Sequence, residues 1–211
     1  MEEAPPERLR DAERTRAEIL QVATEAFAEH GLAGARVDDI ARRTRTTKRM
    51  IYYYFGSKEQ LYRAVLEEAY QGIRVAERQR GLDGLAPLDA VRAVAELTFD
   101  HHLAHPEFIR LVSIENIHRG EHLRHLESLR ELGTPALAVL ERILAAGQRD
   151  GTFRQGVDAL DVHVVISSFC VFQVANRATF GQLFDRDMGE AGVRRRHRAM
   201  LGDVVVGWLR A

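Results

Sequence analysis

The sequence predicts an all-α protein of about nine helices, with a small three-helix head at the N-terminus and a larger helical body behind it. Three observations predict it. Apolar residues recur at helical spacing along almost the whole chain. No segment shows sustained alternation of apolar and polar residues between turn signals, so strands are not expected. Glycine and proline mark several of the breaks between the periodic stretches, at Gly31, in 81–87, at Gly120 and Gly133, and in 150–156. The 211 residues are 45% hydrophobic, enough for one large domain or two small ones with a real core.

Residues 11–30 place Ile19, Leu20, Ala23, Ala26 and Phe27 on one stripe, and Gly31 ends that helix. A short second helix, Val37–Thr44, turns Val37, Ile40 and Ala41 inward. Arg45 and Thr46 make a turn. Thr47 is suited to cap a third helix, Lys48–Tyr54, because its hydroxyl can accept a free backbone N–H. Met50, Ile51 and Phe55 are expected to anchor that helix, and Tyr53 to pack inward between Tyr52 and Tyr54. Ser57 caps a long helix over about 58–80, with Leu61, Val65, Leu66 and Ala69 inward. The stretch 81–87 is the clearest break. Helices near 88–104, 106–118, 121–131 and 135–149 follow, with Pro106 and Pro135 at starts that tolerate proline. A loop over 150–156 leads to an apolar helix at 158–180 and a last helix at 190–210.

Charge is unevenly spread. The whole chain carries −1, yet the window from Arg36 to Lys58 has seven basic residues against Asp38 and Asp39 and stands at +5. The remainder is therefore −6. Both lysines, Lys48 and Lys58, lie in this window, against 28 arginines in the chain. Two small helices with basic and aromatic tips form a unit that reaches into a DNA groove, and a basic patch on an acidic body docks by one face.

The run Thr46-Thr47-Lys48-Arg49-Met50-Ile51-Tyr52-Tyr53-Tyr54-Phe55-Gly56-Ser57-Lys58-Glu59 resembles the N-terminal module of the TetR family of bacterial transcription regulators. Ile19-Leu20, Ala23, Phe27, Gly31 and Ile40-Ala41 agree with the same pattern, over roughly residues 14–66. Two departures stand out. Ala35 and Arg36 replace a frequent hydroxyl pair, which weakens the cap of the second helix, although Arg36 can replace a lost phosphate contact. Thr44-Arg45-Thr46-Thr47 replaces a frequent Ala-Gly-Val-Ser turn. The segment 105–120 further resembles a subgroup that includes the regulator of pyrimidine utilisation, which does not carry over a pyrimidine ligand.

The resemblance implies a DNA-binding domain over 1–57 and a ligand-binding and dimerisation domain over 58–211. It implies that Thr47–Tyr54 enters the major groove, with Lys48 and Arg49 on base edges and Tyr52, Tyr54, Lys58, Thr47 and Arg36 on the backbone. Arg42, Arg43 and Arg45 steer or stay solvated. Arg8, Arg10, Arg14 and Arg16 either form an arm or pair locally with Glu7, Asp11 and Glu13. It further implies a homodimer on a palindromic double-stranded operator, a repressor released by a small-molecule effector. The alternatives are a helical DNA-binding regulator with no pocket, or an activator.

The last two helices are the candidate interface: Val162, Val165, Phe169, Val204, Val205 and Trp208. The 158–180 helix is apolar all round, more than one buried face requires. For the effector, Phe99, Phe108, Phe169 and Phe172 are candidate walls, and His102, Asn116, Gln173 and Asn176 candidate polar contacts. A buried amide needs a partner, either a ligand or the protein itself. The histidines at 101, 102 and 105 and at 118, 122 and 125 lack a Cys pair or acidic triad, so no metal is expected. No cofactor is expected and the chain is not read as an enzyme: a P-loop, a Gly-x-Ser-x-Gly elbow and a dinucleotide fingerprint are all missing. No apolar run approaches the roughly 18 residues of a membrane span, and Cys170 stands alone, so a cytoplasmic protein without a membrane partner is expected.

Overall fold

The computed structural model describes residues 7–78, 82 and 84–211. The described residues form ten α-helices: α1 Glu7–Gly34, α2 Val37–Arg43, α3 Lys48–Phe55, α4 Lys58–Arg78, α5 Pro87–Ala104, α6 Pro106–Ile117, α7 Glu127–Arg149, α8 Ala159–Ala175, α9 Arg177–Phe184 and α10 Ala191–Leu209. A single 3₁₀ turn covers Leu123–His125. The all-helical class is therefore as the periodicity predicts.

Two compact units share the chain. The first comprises residues up to Ala69 together with Arg110–Leu126; the second comprises Tyr70–Ile109 and Glu127–Ala211. The division differs from a cut at residue 57, because side chains well beyond that point belong to the head's core. Leu61, Tyr62, Val65, Leu66 and Leu111 are buried with Ile19, Ala23, Phe27, Ile40, Ile51 and Phe55. The rings of Phe27 and Tyr62 meet edge to face at 5.0 Å.

A buried polar cluster completes this first unit. The Glu115 side chain is almost fully buried. Tyr62 donates its hydroxyl to Glu115 Oε1 at 3.0 Å. His122 donates its backbone N–H to Oε2 at 3.2 Å and its Nδ1–H to Oε1 at 3.1 Å. Three donors on one carboxylate offset the cost of removing it from water.

In the second unit Val91, Ala95, Phe99, Leu140, Leu144, Phe153, Val162, Ile166, Leu201 and Val205 form the core. Arg198 bridges to Asp100, at 3.0 Å, and to Glu96. Arg92 donates to Asp203 at 2.7 Å. Gly147 lies flat under Phe153; a Cβ there would stand 2.2 Å from the ring. Cys170 is buried, and burial pushes its thiol up to about 12.

Two helix boundaries differ from the sequence reading. The residues expected as two helices around Gly133 and Pro135 form one helix, α7, that runs through the proline. The expected helix 158–180 is two helices, α8 and α9, bent by 67° at Asn176. Asn176 leaves helical geometry at φ −101° and ψ 4° while its N–H still bonds the Phe172 carbonyl. Gly31 interrupts α1 as expected, at φ 64° and ψ 178°, although helical bonding resumes to Gly34.

Candidate nucleic-acid interface

The interface is built on α2 and α3, joined by a three-bond turn. The α2 carbonyls of Ile40, Ala41 and Arg42 accept the N–H groups of Thr44, Thr46 and Arg45. Thr44 is buried and returns its hydroxyl to the Ile40 carbonyl at 2.9 Å. Arg45 sits in the left-handed region at φ 50°, where a side chain costs about 1 kcal/mol relative to glycine. Thr47 then caps α3 as expected: its hydroxyl accepts the Met50 N–H at 3.2 Å. Gly56 closes α3 at φ 76°, where an added Cβ would collide with Gln60. Ser57 accepts the Gln60 N–H at 3.1 Å and starts α4. The Glu59 carboxyl is held below its usual range by hydrogen bonds to its own backbone N–H and to the Ser57 side chain.

The orientation of α3 follows from its inward residues. Ile51 and Phe55 are buried. At about 100° per residue, Tyr54 stands roughly 60° from Ile51 and Tyr53 roughly 160° from it. Accordingly Tyr54 is half-buried against the head's core, whereas Tyr53 is 78% exposed. This corrects the expectation that Tyr53 packs inward with Tyr54 as its outward neighbour. Met50, expected as an anchor, is exposed at the edge of the same outer face. Tyr52 is exposed too.

Lys48 and Arg49 begin α3 and are exposed. Lys48 Nζ donates to Asp38 Oδ2 at 3.2 Å, linking α3 to α2. Among the described residues no carboxylate pairs with Arg49. Lys58 Nζ donates to the Ala33 carbonyl at 3.4 Å, so this ammonium is placed beside the C-terminal end of α1. Arg36 is exposed and is itself the N-cap residue of α2, with no side-chain cap bond. Ala35, named for the lost hydroxyl, is instead buried in the head's core. Arg42 and Arg43 pair with Asp39 and Glu25, and Arg14 with Asp11. Arg16 lies over the Phe55 ring at 5.3 Å. The side chains of Arg8 and Arg10 lie outside those described. The exposed set is thus Arg36, Arg45, Thr47, Lys48, Arg49, Tyr52 and Tyr53: cationic and aromatic, with few competing carboxylates.

The other candidate residues do not form one site. Phe99 is buried in the body core against Phe169, 6.3 Å between ring centres. His102 is buried and shares its Nδ1 with the Thr98 carbonyl at 2.8 Å. Phe108 packs edge-on to His102 and Tyr70. Asn116 is exposed and donates to the Val112 carbonyl of its own helix, and it falls in the first unit. Gln173 is buried and accepts His197 Nδ1–H at 2.9 Å, so the protein itself satisfies this amide. Asn176 marks the bend after α8, and Phe172 meets Phe180 at 4.7 Å on the surface side.

A narrow cleft in the second unit, about 450 Å³ when its solvent-open mouth is counted, is lined by a different group: Leu82, Val94, Leu97, Thr98, Val139, Leu140, His163, Ile166 and Ser167. Ser167 Oγ and His163 Nδ1 are hydrogen-bonded at 3.0 Å inside it. These residues escaped the sequence reading because Ser167 and His163 look like ordinary polar interruptions; their i, i+4 spacing was the only signal.

The proposed interface set also divides. Val162 and Val205 are fully buried in their own unit and cannot meet a partner. Val165, Phe169 and Trp208 are half-buried against that core, Trp208 beneath the Arg154 guanidinium at 4.8 Å. Only Val204 is exposed, together with Leu160, Val164, Phe172 and Met200. Among the described residues no group of three or more His, Cys, Asp or Glu is placed to hold a metal ion. No single helix among them is long and apolar enough to cross a membrane, although the bent pair α8–α9 passes on length and composition.

Comparison with known proteins agrees with this geometry. Residues 19–65 match the family model described as bacterial regulatory proteins, tetR family, and residues 87–205 match the Tetracyclin repressor-like C-terminal domain. The HTH-type transcriptional repressor NicS of Pseudomonas putida is 35% identical over 203 residues, 96% of either chain. The HTH-type transcriptional repressor SCO4008 of Streptomyces coelicolor is 36% identical over 113 residues, 53% of this chain and 54% of that one. Among solved structures, the putative transcriptional regulator SCO4942 of Streptomyces coelicolor superposes with a TM-score of 0.70 at 30% identity, covering 92% of this chain and 98% of that one.

Proposed function

The chain belongs to the TetR family of bacterial regulatory proteins, and on that premise we propose that it is a DNA-binding transcriptional repressor that a small molecule releases from its operator. The observation that carries this reading is α3: a capped helix with Ile51 and Phe55 locked into the head and Lys48, Arg49, Tyr52 and Tyr53 on the outside. Arg49 reads a guanine through paired bonds to N7 and O6, and Lys48 adds a second donor. Tyr52, Tyr53, Thr47, Arg36 and Lys58 contact the sugar–phosphate backbone and set the register. Tyr54, half-buried, serves this surface mainly by holding Tyr53 outward, 5.5 Å between ring centres.

One head spans too few base pairs for selective binding, so two copies act together on an inverted repeat. Leu160, Val164, Phe172, Met200 and Val204, exposed on α8 and α10, are the apolar surface available for pairing. The reading places the protein in the cytoplasm, where its DNA is. The effector occupies the cleft lined by Thr98, His163 and Ser167. That lining contains no Asp, Glu, Lys or Arg, which suits a small molecule without formal charge, oriented by the Ser167–His163 pair. Release requires that the effector bind the DNA-free arrangement more tightly than the DNA-bound one.

Selection of bound fragments from a genomic pool, followed by footprinting, tests the proposal. An enriched inverted repeat, its half-sites about one helical turn apart, is the expected result. A pool that shows no enrichment over non-specific binding would overturn it.

A further inference from the structure

A second opening in the body differs in chemistry from the narrow cleft. It is an open groove of about 690 Å³, including its solvent-filled mouth, between the C-terminal end of α5 and the N-terminal end of α10. Its apolar side is Phe99, Leu103, Ala104 and Ala191; its polar side is Asp100, Arg194, Arg195 and Arg198. The two sides have different electrostatic standing. Arg198 and Asp100 neutralise each other through bonds of 3.0 and 3.1 Å, with Glu96 as a further partner of the same guanidinium. Arg194 and Arg195 are exposed, and among the described residues neither has a carboxylate partner. The groove therefore ends in two adjacent guanidinium forks with unspent donors over an apolar floor.

The opposite face of the same helix is the one available for pairing. At about 100° per residue, Ala191, Arg194, Arg195 and Arg198 share one side of α10, while Met200 lies roughly 170° and Val204 roughly 130° around it from their centre. Pairing of two copies through Met200 and Val204 therefore leaves the groove open. Its residues take no part in the α3 surface either, so the groove belongs to neither site already described.

We propose that this groove binds an organic anion with an apolar body, its carboxylate or phosphate held by Arg194 and Arg195 and its tail on Leu103, Ala104 and Ala191. Arginine forks match the planar oxygens of a carboxylate or phosphate in a paired geometry. The apolar floor adds affinity that an inorganic anion cannot gain. The clamp of Arg198 on Asp100 keeps the one acidic side chain in the lining from repelling the ligand. The site stands independently of the effector cleft and of DNA binding.

Calorimetric titration of the full chain tests this, with octanoate, octyl phosphate, octanamide and inorganic phosphate as probes. Octanoate or octyl phosphate is expected to bind, with octanamide and inorganic phosphate each at least about tenfold weaker. Whichever of the two octyl anions binds more tightly identifies the headgroup. The R194A/R195A variant, altered only at exposed positions, is expected to weaken the octyl anion by at least about tenfold at an unchanged melting temperature. A104W, which fills the apolar side, is expected to weaken it without changing its salt dependence. Equal affinity for octanamide, no binding of either octyl anion at millimolar concentration, or full binding by both variants would each overturn the proposal.

Discussion

Helices α3 and α8 bury one face each and present the other, but what they present is opposite in kind. On α3 the outer face is Lys48, Arg49, Tyr52 and Tyr53. On α8 the inner face is Val162, Ile166, Cys170 and Gln173, and the outer face is Leu160, Val164 and Phe172, interrupted by Ser168. A cationic face is stable in water and waits for a polyanion. An apolar face is unfavourable in water and is stabilised by any apolar partner that covers it. On the function proposed above, the difference separates a surface for reversible recognition from one for lasting assembly. Each can be broken by a substitution that leaves the other intact.

The largest effect tests the two faces of α8 against each other. Val162→Asp places a carboxylate in a fully buried site and should cost about 4 kcal/mol or more, enough to unfold the second unit in thermal melting. Val164→Asp, two residues on but exposed, should leave the melting of the folded unit nearly unchanged and shift sedimentation equilibrium toward monomer. Similar outcomes for both variants would remove the distinction between the faces.

Glu115→Ala comes next and concerns the support beneath the recognition surface. It removes the acceptor shared by the Tyr62 hydroxyl and two donors of His122, and should cost about 3 kcal/mol in denaturant unfolding. Tyr62→Phe, which removes one of these bonds, should cost about 1 kcal/mol.

On α3 itself the contrast is between base and backbone. Arg49→Ala should cost about 1–3 kcal/mol on the preferred operator and relax preference at one or two base pairs. Lys58→Ala should weaken all sequences alike and flatten the salt dependence by about one charge. Tyr53→Phe should weaken operator binding more than Tyr54→Phe does. The reverse order would return the backbone contact to Tyr54.

A pH measurement probes the second unit without touching its outer face. Burial, reinforced by His105 and His102, pushes His101 down to about 4, and its Nδ1 is buried without a hydrogen-bond partner. The unfolded chain therefore binds more protons between about 4 and the ordinary 6.5, so stability should fall as pH falls through that window. His101→Gln should flatten this part of the pH–stability profile. A profile identical to that of the parent would refute the assignment.

The smallest effect lies in the turn before α3. Arg45→Gly relieves a left-handed side-chain conformation and should stabilise the head by about 0.5–1 kcal/mol, less the flexibility glycine adds to the unfolded chain. It also removes one cation from the surface proposed to face DNA, so tighter folding with a shallower salt slope is the combined expectation.

Legibility followed the contrast between neighbouring residues. The head was readable because polar and apolar residues alternate at helical spacing, and because Thr47, Gly56 and Ser57 carry the chemistry that ends and begins helices. Within it the reading failed at Tyr53, since three successive tyrosines offer no polarity difference and only the helical angle from Ile51 and Phe55 assigns them. The body was readable as helices but not as faces. In α8 apolar residues occur in every direction, so Val162 and Val164 are equivalent on paper and opposite in space. Gln173 illustrates the remaining ambiguity: its buried amide needed a partner, and His197, 24 residues later, supplies it.

By itself the sequence determined the helical class, the order of elements, the capped turn before α3 and the cationic character of that helix. These depend on local periodicity and on hydrogen bonds between near neighbours. Only the tertiary structure decided which side of α8 is core, which tyrosine faces outward, that α7 runs unbroken, and that Leu111 and Glu115 join the head. Those outcomes depend on packing between segments far apart in the chain, where burial of one face is chosen by the shape of what it meets.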